Sequence, residues 1–358
     1  MLTEFLWIDP KGLYDMNDTT LCYIEKDGCY LMLHRVKKDR DPNEGKWIGI
    51  GGKVEPGESP EQCIRREAEE ETGLTLGGLR FRGIINFLSD RVAPETMYLY
   101  TADEFAGSLT DCDEGILQWI PKENIFSLPL WEGDRIFLNY LLTDHPFFHL
   151  HLHYDKDDRL ISDRLVQPII LASASPRRRE LLKQINIDPI IFPSVLEEKA
   201  ACTQPTELVQ QLSLQKASDI AGKIDGDVIV IGADTVVVRD GEVLGKPKSH
   251  EEAAHMVRSL QGRSHEVFTG VTVMRTGSRH LPAQSITFCE RTEVCVAAMS
   301  EQEIVLYADS EEPMDKAGAY GIQGPFAAFI EGIRGDYTNV VGLPVGRVYR
   351  ALKKMRSK

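Results

Sequence analysis

Apolar and polar positions alternate in short runs along the N-terminal half of the chain, a pattern typical of half-buried strands. Two of these runs, residues 19–24 and 30–35, flank a Lys26-Asp27-Gly28 turn and predict a hairpin. The spacing of residues 131–142 predicts a helix. Further strands are predicted at residues 79–88, 97–102, 117–121, 150–154 and 160–166. The pattern indicates an α+β layout for this half.

A second helix is predicted from its end signals. Ser59 is followed by Pro60 and, three residues after the serine, by Gln62, which forms a capping box with proline at the first helical position. Gly73 is placed to end the helix.

This helix carries three carboxylates on one face. Glu67, Glu70 and Glu71 stand at i, i+3 and i+4, where their mutual repulsion is costly without a cation. Oxygen ligands grouped in this way suit Mg²⁺ or Mn²⁺. Arg66 can pair with Glu70, and Gly52 precedes the helix in a loop where the backbone can approach a metal closely. Taken alone, a glutamate cluster can also be a solvated acidic face.

The second half opens with an apolar strand that runs into a loop and a helix. The strand starts after Pro168, and Ser175 is placed as the helix cap with Pro176 at the first helical position. Arg177 and Arg178 follow at the helix N-terminus, where backbone N–H groups, the helix dipole and guanidinium groups favour phosphate. A solvated basic surface is the alternative interpretation.

A buried strand is predicted at residues 227–232, and it ends at Asp234 and Thr235. An acidic residue at the carboxyl end of a strand lies where α/β proteins commonly bind ligands, although an aspartate there can also cap a turn. Lys216 lies on a predicted helix, where it is either functional or merely exposed.

Length and charge limit the classes of function. The 358 residues exceed the usual size of one domain and predict two. The formal charge of −14 argues against nucleic acid as a partner, although a bound metal would let the chain take nucleotide substrates. The sequence lacks an apolar run of membrane-spanning length and a signal peptide. Seven cysteines without a C-x-x-C pair fit a reducing compartment, so we expect a cytoplasmic protein with no membrane partner.

The carboxylate helix is part of a longer motif. Residues 52–74 resemble the Nudix box, G-x5-E-x7-R-E-U-x-E-E-x-G-U with U a bulky apolar residue, at Gly52, Glu58, Arg66, Glu67, Glu70, Glu71, Gly73 and Leu74. Ala68, which is small for a U position, is a mild departure. Residues 45–53, 113–115, 130–134 and 145–154 are similar to the bacterial 8-oxo-dGTP diphosphatase branch, the MutX type. The resemblance implies the α+β Nudix fold, a mixed sheet between helices, over residues 1–166.

The Nudix resemblance also implies hydrolysis of an oxidised purine nucleoside triphosphate to monophosphate and pyrophosphate. A divalent metal would be held by Glu67, Glu70, Glu71, the Gly52 carbonyl and Glu114, with Glu70 as the catalytic residue. Lys53 would offset phosphate charge, and Trp131 and Asp134 would recognise the base. A solvated lysine, a core tryptophan and a helix-start carboxylate are the respective alternatives. Dinucleotide polyphosphates or nucleotide sugars remain alternative substrates.

Ordered motifs in the second half indicate a different family. Residues 169–182, 233–235, 245–247, 315–324 and 335–344 together resemble the Maf family of nucleotide pyrophosphatases, over residues 168–352. The resemblance implies an α/β Maf, ITPase-like fold over residues 167–358. Residues 319–324 resemble the branch that acts on dTTP and UTP, and modified pyrimidine nucleotides would follow if the base edge is read loosely.

Site residues of the second half follow from the Maf resemblance by position. Asp234 would be the acidic catalytic residue that binds metal and activates water. Arg178, Thr235 and Gln323 would govern substrate choice. The phosphate and metal site would be lined by Ser173, Arg177, Glu198, Lys216, Lys246, Asp315 and Lys316. The same resemblance makes a homodimer through this half plausible.

The sequence thus predicts a bifunctional hydrolase that removes aberrant nucleoside triphosphates. The alternative for the second half is a nucleotide-binding regulator of division without turnover. The intact Asp234, Arg178 and Lys246 argue against it, because a module released from catalysis has no physical need for a metal-facing carboxylate beside a phosphate cradle.

Overall fold

The computed structural model describes residues 17–37, 41–198, 202–277 and 283–356, to which all structural statements below refer. These residues form two compact units, one ending at Gln167 and the other beginning at Pro168. The boundary predicted between residues 166 and 167 lies one residue before this division. Each unit has its own apolar core.

The first unit is built on a mixed eight-stranded sheet. The strands of the whole unit are β1 (Asn17–Lys26), β2 (Cys29–Arg35), β3 (Trp47–Ile48), β4 (Leu74–Leu76), β5 (Leu79–Ser89), β6 (Glu95–Ala102), β7 (Phe105–Gly107), β8 (Gly115–Pro121), β9 (Phe148–Tyr154) and β10 (Leu160–Val166). Its helices are α1 (Pro60–Thr72) and α2 (Glu132–Leu142), with a 3-10 helix at Lys122–Ser127. The sheet order is β10-β9-β5-β6-β1-β2-β3, β8 also pairs with β2, and β4 pairs with β7 in a separate ribbon. The pairs β1–β6 and β5–β9 are parallel.

The end signals of α1 act as predicted. The Ser59 hydroxyl accepts the Gln62 backbone N–H at 3.2 Å, and the Gln62 side chain accepts the Ser59 N–H at 2.8 Å. Gly73 ends the helix in the left-handed region at φ 73°. The helix buries Ala68 completely, so a small residue fits this position of the motif.

The two helices cover opposite faces of the sheet. On β1, Thr20 faces α1, since its hydroxyl lies 3.3 Å from the Cys63 Sγ. The next residue, Leu21, faces the other way and packs in the core that contains Phe137 and Leu138 of α2. The predicted mixed sheet between helices is therefore confirmed.

The second unit is also a mixed sheet with helices on both faces. Its strands are β11 (Ile169–Leu171), β12 (Ile190–Ile191), β13 (Ile229–Arg239), β14 (Glu242–Leu244), β15 (Ser264–Arg275), β16 (Gln284–Val296) and β17 (Ile330–Arg334). Its helices are α3 (Pro176–Gln184), α4 (Pro205–Ala221), α5 (His250–Leu260), α6 (Glu301–Ala308), α7 (Tyr337–Val341) and α8 (Val345–Arg356), with 3-10 helices at Glu312–Asp315, Ala317–Ala319 and Pro325–Phe329. The order is β12-β11-β13-β15-β16-β17, with β14 paired to β13. β11 is parallel to β12 and β13, and the other pairs are antiparallel.

Two glycines let α4 lie directly on this sheet. A Cβ at Gly232 would come within 2.2 Å of the Ser213 carbonyl oxygen, and one at Gly270 within 2.1 Å of the Val209 carbonyl oxygen. Both carbonyls belong to α4, so side chains at these positions would push the helix away. The close approach brings Lys216 of α4 to β13.

The strand β13 is longer than predicted. The prediction that it ends at Asp234 and Thr235 was wrong, because its pairing with β15 continues to Val238. On its other edge, β11 pairs as far as Ile231 and β14 begins to pair at Val237. Asp234 and Thr235 therefore lie within a strand rather than at its end. On one side of this strand they stand at the gap between β11 and β14.

Candidate active sites

Arg66 organises the carboxylates around α1. Its guanidinium donates to both oxygens of Glu58 at 3.0 and 3.1 Å, to Glu67 at 2.8 Å and to Glu70 at 3.1 Å. It also donates to the Lys53 carbonyl at 3.2 Å. The bidentate pairing with Arg66 lowers the pKa of Glu58 and keeps it ionised. The predicted Arg66–Glu70 pair is present, within a larger network.

The glycine loop lies against this network. A Cβ at Gly52 would come within 2.3 Å of a Glu67 carboxylate oxygen, so a larger residue here would displace this carboxylate from its present position. The Gly52 carbonyl accepts the Thr20 N–H at 2.8 Å and keeps a second lone pair. The neighbouring Gly51 N–H donates to the Glu71 carboxylate at 3.2 Å, which fixes this buried side chain.

Glu114 is held by a separate ion pair. Its carboxylate pairs with Arg35, whose guanidinium also donates to Asp41 at 2.5 Å. Arg35 is buried at the end of β2, and Glu114 directly precedes β8, which pairs with β2. The structure therefore places Glu114 on a loop beside Arg35.

The first site contains oxygen atoms of the kind that bind divalent cations. Within the described ranges, no three His, Cys, Asp or Glu side chains are gathered in a group that could hold a metal ion. Glu67 and Glu70 face the Arg66 guanidinium instead. Their oxygens lie on the helix face beside the Gly52 backbone, and they are the donors that Mg²⁺ and Mn²⁺ prefer. A metal bound there would compete with Arg66 for these two carboxylates.

Trp131 is fixed at the start of α2. Its indole N–H donates to Asn43 at 2.9 Å, its ring lies under the Lys46 ammonium at 4.6 Å, and it meets Tyr154 edge-on. The Gly133 N–H donates to the Tyr154 hydroxyl at 2.6 Å. The half-buried indole is therefore held with its N–H already paired.

Asp134 lies in the first turn of α2. Burial raises the pKa of its carboxyl to about 7, while the nearby Lys46 acts in the opposite direction. The carboxyl is therefore partly protonated near neutral pH and can donate a hydrogen bond in that state. Lys53 is exposed, on the loop before α1.

In the second unit, Lys216 joins two carboxylates. Its ammonium lies 2.6 Å from Asp234 and 2.8 Å from Glu198. The side chains of Asp234 and Lys216 are 13% and 17% exposed, which leaves them reachable but mostly desolvated. Lys216 is thus not a merely exposed lysine, and two carboxylates that share one cation have the chemistry to hold a metal.

Asp315 joins two further predicted residues. It lies 3.2 Å from Arg177 and 2.6 Å from Lys316. Burial acts to raise its pKa, but the two cations prevail and hold the pKa below its usual value. Lys316 also donates to the Glu312 carbonyl at 2.6 Å. Asp315 thus holds Arg177 of α3 and the neighbouring Lys316 close together.

Two other predicted residues lie on exposed loops. Lys246 follows Gly245, whose carbonyl accepts the Gly318 N–H at 2.9 Å and so joins this loop to the Lys316 segment. Gln323 is exposed, on the loop after Tyr320. The Tyr320 hydroxyl is bonded to the His265 imidazole at 2.7 Å.

A third group surrounds Arg178, whose guanidinium donates to two carbonyl and two hydroxyl oxygens. It donates to the Gly342 carbonyl at 2.9 Å, the Ser173 hydroxyl at 2.9 Å, the Ala233 carbonyl at 3.0 Å and the Thr235 hydroxyl at 3.1 Å. Burial lowers the pKa of this guanidinium. Because side chains alternate along β13, Thr235 faces Arg178 while Asp234 faces α4. The structure therefore divides the predicted residues between two faces of the strand.

Ser175 begins α3 as predicted, with Pro176 in the first turn. Its side chain makes no capping hydrogen bond, however, so the expected side-chain cap was wrong. The Ser175 N–H donates to the Ser173 hydroxyl at 3.3 Å instead. Ser173 thereby contacts both the start of α3 and Arg178.

Sequence reasoning missed residues that contact the predicted ones from distant segments. Arg35 and Asn43 hold Glu114 and Trp131 in the first unit. Thr269 of β15 lies 2.9 Å from the Thr235 hydroxyl in the second. Only the strand register reveals Thr269, because it stands directly opposite Thr235 on the antiparallel strand.

The folds and these polar groups define a two-domain hydrolase of phosphoanhydride bonds. A family model described as Maf-like protein matches residues 168–355, and one described as NUDIX domain matches residues 17–141. The chain belongs to the Maf family through its C-terminal half and carries an N-terminal Nudix domain. The helices of the described residues include none that is long and apolar enough to cross a membrane.

Similar proteins cover each half separately. A dTTP/UTP pyrophosphatase of Carboxydothermus hydrogenoformans is 50% identical over 186 residues, which span 52% of this chain and 97% of the relative. One of Bacillus velezensis is 48% identical over 195 residues, which span 54% of this chain and all of the relative, 100%. A crystal structure of a mutator MutT protein from Bacillus halodurans is 29% identical, with a TM-score of 0.38, and the match covers 42% of this chain and 97% of that protein.

Proposed function

We propose that the chain is a bifunctional enzyme of nucleotide-pool housekeeping. Residues 1–166 form a Nudix domain that hydrolyses oxidised purine nucleoside triphosphates, of the 8-oxo-dGTP type, to monophosphate and pyrophosphate. Residues 167–358 form a Maf domain that does the same to dTTP, UTP and modified pyrimidine triphosphates. All seven cysteines are free thiols, which agrees with action in the cytoplasm.

The observation that carries the second activity is the contact of Lys216 with both Asp234 and Glu198. It lies in a half whose relatives, named dTTP/UTP pyrophosphatases, are 45% to 50% identical. We assign Asp234 to the activation of water and Glu198 to its support. Arg177, Lys246 and Lys316 supply positive charge for the triphosphate, and Ser173, Asp315 and Gln323 line the site. Arg178 and Thr235 act on substrate choice.

For the first activity, the carrying observation is the carboxylate network of Arg66 beside Gly52. We assign Glu67, Glu70 and Glu71 to metal binding and Glu70 to catalysis, with Glu114 approaching from its loop. Lys53 is exposed and free to meet phosphate.

Base recognition in the first half is assigned to Trp131 and Asp134. The indole is half-buried and offers a flat apolar surface. The Asp134 carboxyl, with its raised pKa, presents an O–H donor to a purine acceptor when protonated.

Mg²⁺ or Mn²⁺, when bound, neutralises phosphate charge and lowers the pKa of bound water. The carboxylates on α1 would hold the ion in the first domain, and Asp234 would hold it in the second.

The assignment of the second half is tested with Asp234→Asn in a chain that also carries Glu70→Gln. Release of pyrophosphate from dTTP and UTP is expected to fall at least about 100-fold relative to Glu70→Gln alone. Asp240→Asn is the matched control, since Asp240 follows the same strand and pairs with Arg263. Unchanged release in the Asp234→Asn chain sinks the assignment, and a folded wild-type chain that binds but never hydrolyses these nucleotides would show a regulator instead.

The first half is tested by a panel of substrates on the chain that carries Asp234→Asn. We expect hydrolysis of 8-oxo-dGTP, and loss of it on adding Glu70→Gln. Glu69→Gln is the control, because Glu69 is exposed and neighbours Glu70 on the same helix. Preferred turnover of a dinucleotide polyphosphate or nucleotide sugar by the same Glu70 would replace the proposed substrate.

A further inference from the structure

Thr235 and Thr269 form part of a chain of hydrogen bonds beneath the second site. The two hydroxyls lie 2.9 Å apart, on residues directly opposite in strands β13 and β15. The Thr269 hydroxyl also lies 3.1 Å from the Asn339 carbonyl oxygen. Thr269 is fully buried, so it cannot exchange these partners for water.

The direction of each bond follows from what each group can donate. Arginine only donates, so Thr235 accepts from the Arg178 guanidinium at 3.1 Å. A backbone carbonyl only accepts, so the single Thr269 proton points to Asn339. Thr235 then donates its own proton to Thr269. The Gly342 carbonyl lies at 3.5 Å, the limit of hydrogen-bond range, so Thr269 at 2.9 Å is the stronger acceptor of that proton.

The end of this chain is firmly held. Asn339 is fully buried, and its side-chain amide donates to the Val267 carbonyl at 3.1 Å and the Thr292 hydroxyl at 3.0 Å. Its backbone carbonyl also accepts the Gly342 N–H at 3.0 Å. The Asn339 carbonyl that accepts the Thr269 hydroxyl is therefore held in place, and this fixes the direction of the hydrogen bonds.

We infer that Thr269 is a positioning residue that makes the Thr235 hydroxyl an acceptor, and only an acceptor, toward the pyrimidine base. The inference rests on the proposed function, which gives Thr235 a part in substrate choice. One Thr235 lone pair takes the Arg178 donor, the proton goes to Thr269, and one lone pair is left for substrate. Uracil and thymine carry a hydrogen on N3, whereas cytosine has a lone pair there. The fixed acceptor thus favours uracil and thymine over cytosine.

The test compares kcat and KM for UTP and CTP in the full chain with Glu70→Gln. In Thr269→Val, Thr235 loses its acceptor and can turn its proton toward the base. We expect the preference for UTP over CTP to fall about tenfold or more, through KM, with kcat for UTP changed less than threefold. Thr269→Ser restores the hydroxyl and should restore the preference.

Thr272→Val is the matched control. Thr272 lies on the same strand, is equally buried, and bonds the hydroxyls of Ser213 at 3.1 Å and Thr287 at 2.9 Å, away from Thr235. It should lose stability as Thr269→Val does and keep the UTP preference. If Thr269→Val does not fold, Thr269→Cys, whose thiol accepts weakly, is measured in its place with the same expected loss.

The outcomes separate the inference from the function beneath it. If the parent chain hydrolyses neither dTTP nor UTP, the proposed function fails. If it does, and Thr269→Val or Thr269→Cys keeps the full preference, or Thr272→Val loses it equally, the role of Thr269 is overturned.

Discussion

At the scale of single residues, environment distinguishes carboxylates that look alike in the sequence. Glu58 is kept ionised by the bidentate Arg66. Burial raises the pKa of Asp134, which lies half a domain away in sequence. The first domain therefore contains an ionised carboxylate at Glu58 and a partly protonated carboxyl at Asp134.

The titration of Asp134 gives a prediction about pH. If the protonated carboxyl donates to the purine, KM for 8-oxo-dGTP should rise as pH increases through about 7. Asp134→Asn keeps a donor at every pH, so its KM should stay flat. The measurement is KM between pH 5.5 and 9 in the chain with Asp234→Asn, and the same alkaline rise in both proteins would contradict the assignment.

Stability should respond to the same group. The pKa of Asp134 is raised above the value of about 4 for an unfolded aspartate. Its contribution is therefore complete below pH 4 and is lost as pH rises through about 7. At pH 8, Asp134→Asn should unfold the first domain at a higher denaturant concentration than the parent.

The sequence predicted contacts between residues close together along the chain and missed contacts between distant ones. The Arg66–Glu70 pair follows from helical spacing, and the structure contains it. The bonds of Arg35 to Glu114 and of Thr269 to Thr235 join distant segments, so only the strand register brings them together. Local pattern fixes neighbours on one element, and pairing between elements fixes the rest.

At the scale of elements, α1 and α6 begin with the same capping box. Ser59 pairs with Gln62, and Ser300 with Glu303, in reciprocal bonds. Both helices begin with a capping box, but only α1 carries proposed site residues. The pair therefore separates the stability that a cap gives from its effect on a site.

Ser59→Ala should cost about 1 kcal/mol of stability in the first domain and lower hydrolysis of 8-oxo-dGTP, because the first turn of α1 frays and its Cys63 contacts the Gly52 and Lys53 carbonyls. Ser300→Ala should cost a similar amount in the second domain and leave that hydrolysis unchanged. Chemical denaturation and initial rates measure both effects. Equal loss of 8-oxo-dGTP hydrolysis in the two variants would count against a local effect.

Strand ends were less predictable than helix ends. β13 was expected to end at Asp234 and Thr235, yet it continues past them because its ladder with β15 is uninterrupted. Helix ends are set by caps that the sequence shows, whereas a strand ends where its partners do.

At the scale of the whole molecule, the described residues pack into cores that belong to one unit or the other. Phe137 is buried in the first and Phe326 in the second. Two families with different sheets thus share a chain without sharing a core. The sequence predicted both fold classes from motifs, whereas the close seat of α4 on Gly232 and Gly270 required the assembled sheet.

Separate cores predict separate losses. Phe137→Ala should destabilise the first domain by about 3–5 kcal/mol and abolish 8-oxo-dGTP hydrolysis at a temperature where UTP hydrolysis persists. Phe326→Ala should do the reverse. Both activities are followed in each variant as the temperature is raised, and their joint loss in either variant would show that the two domains unfold as one.

The position of β1 has a consequence for synthesis. Its neighbour β2 follows it directly in the sequence, but its other neighbour, β6, follows only after α1 and β5. Until Glu95–Ala102 has left the ribosome, one long edge of β1 offers unpaired backbone groups to other nascent chains. The yield of folded enzyme should therefore depend on the pace of translation between these two strands.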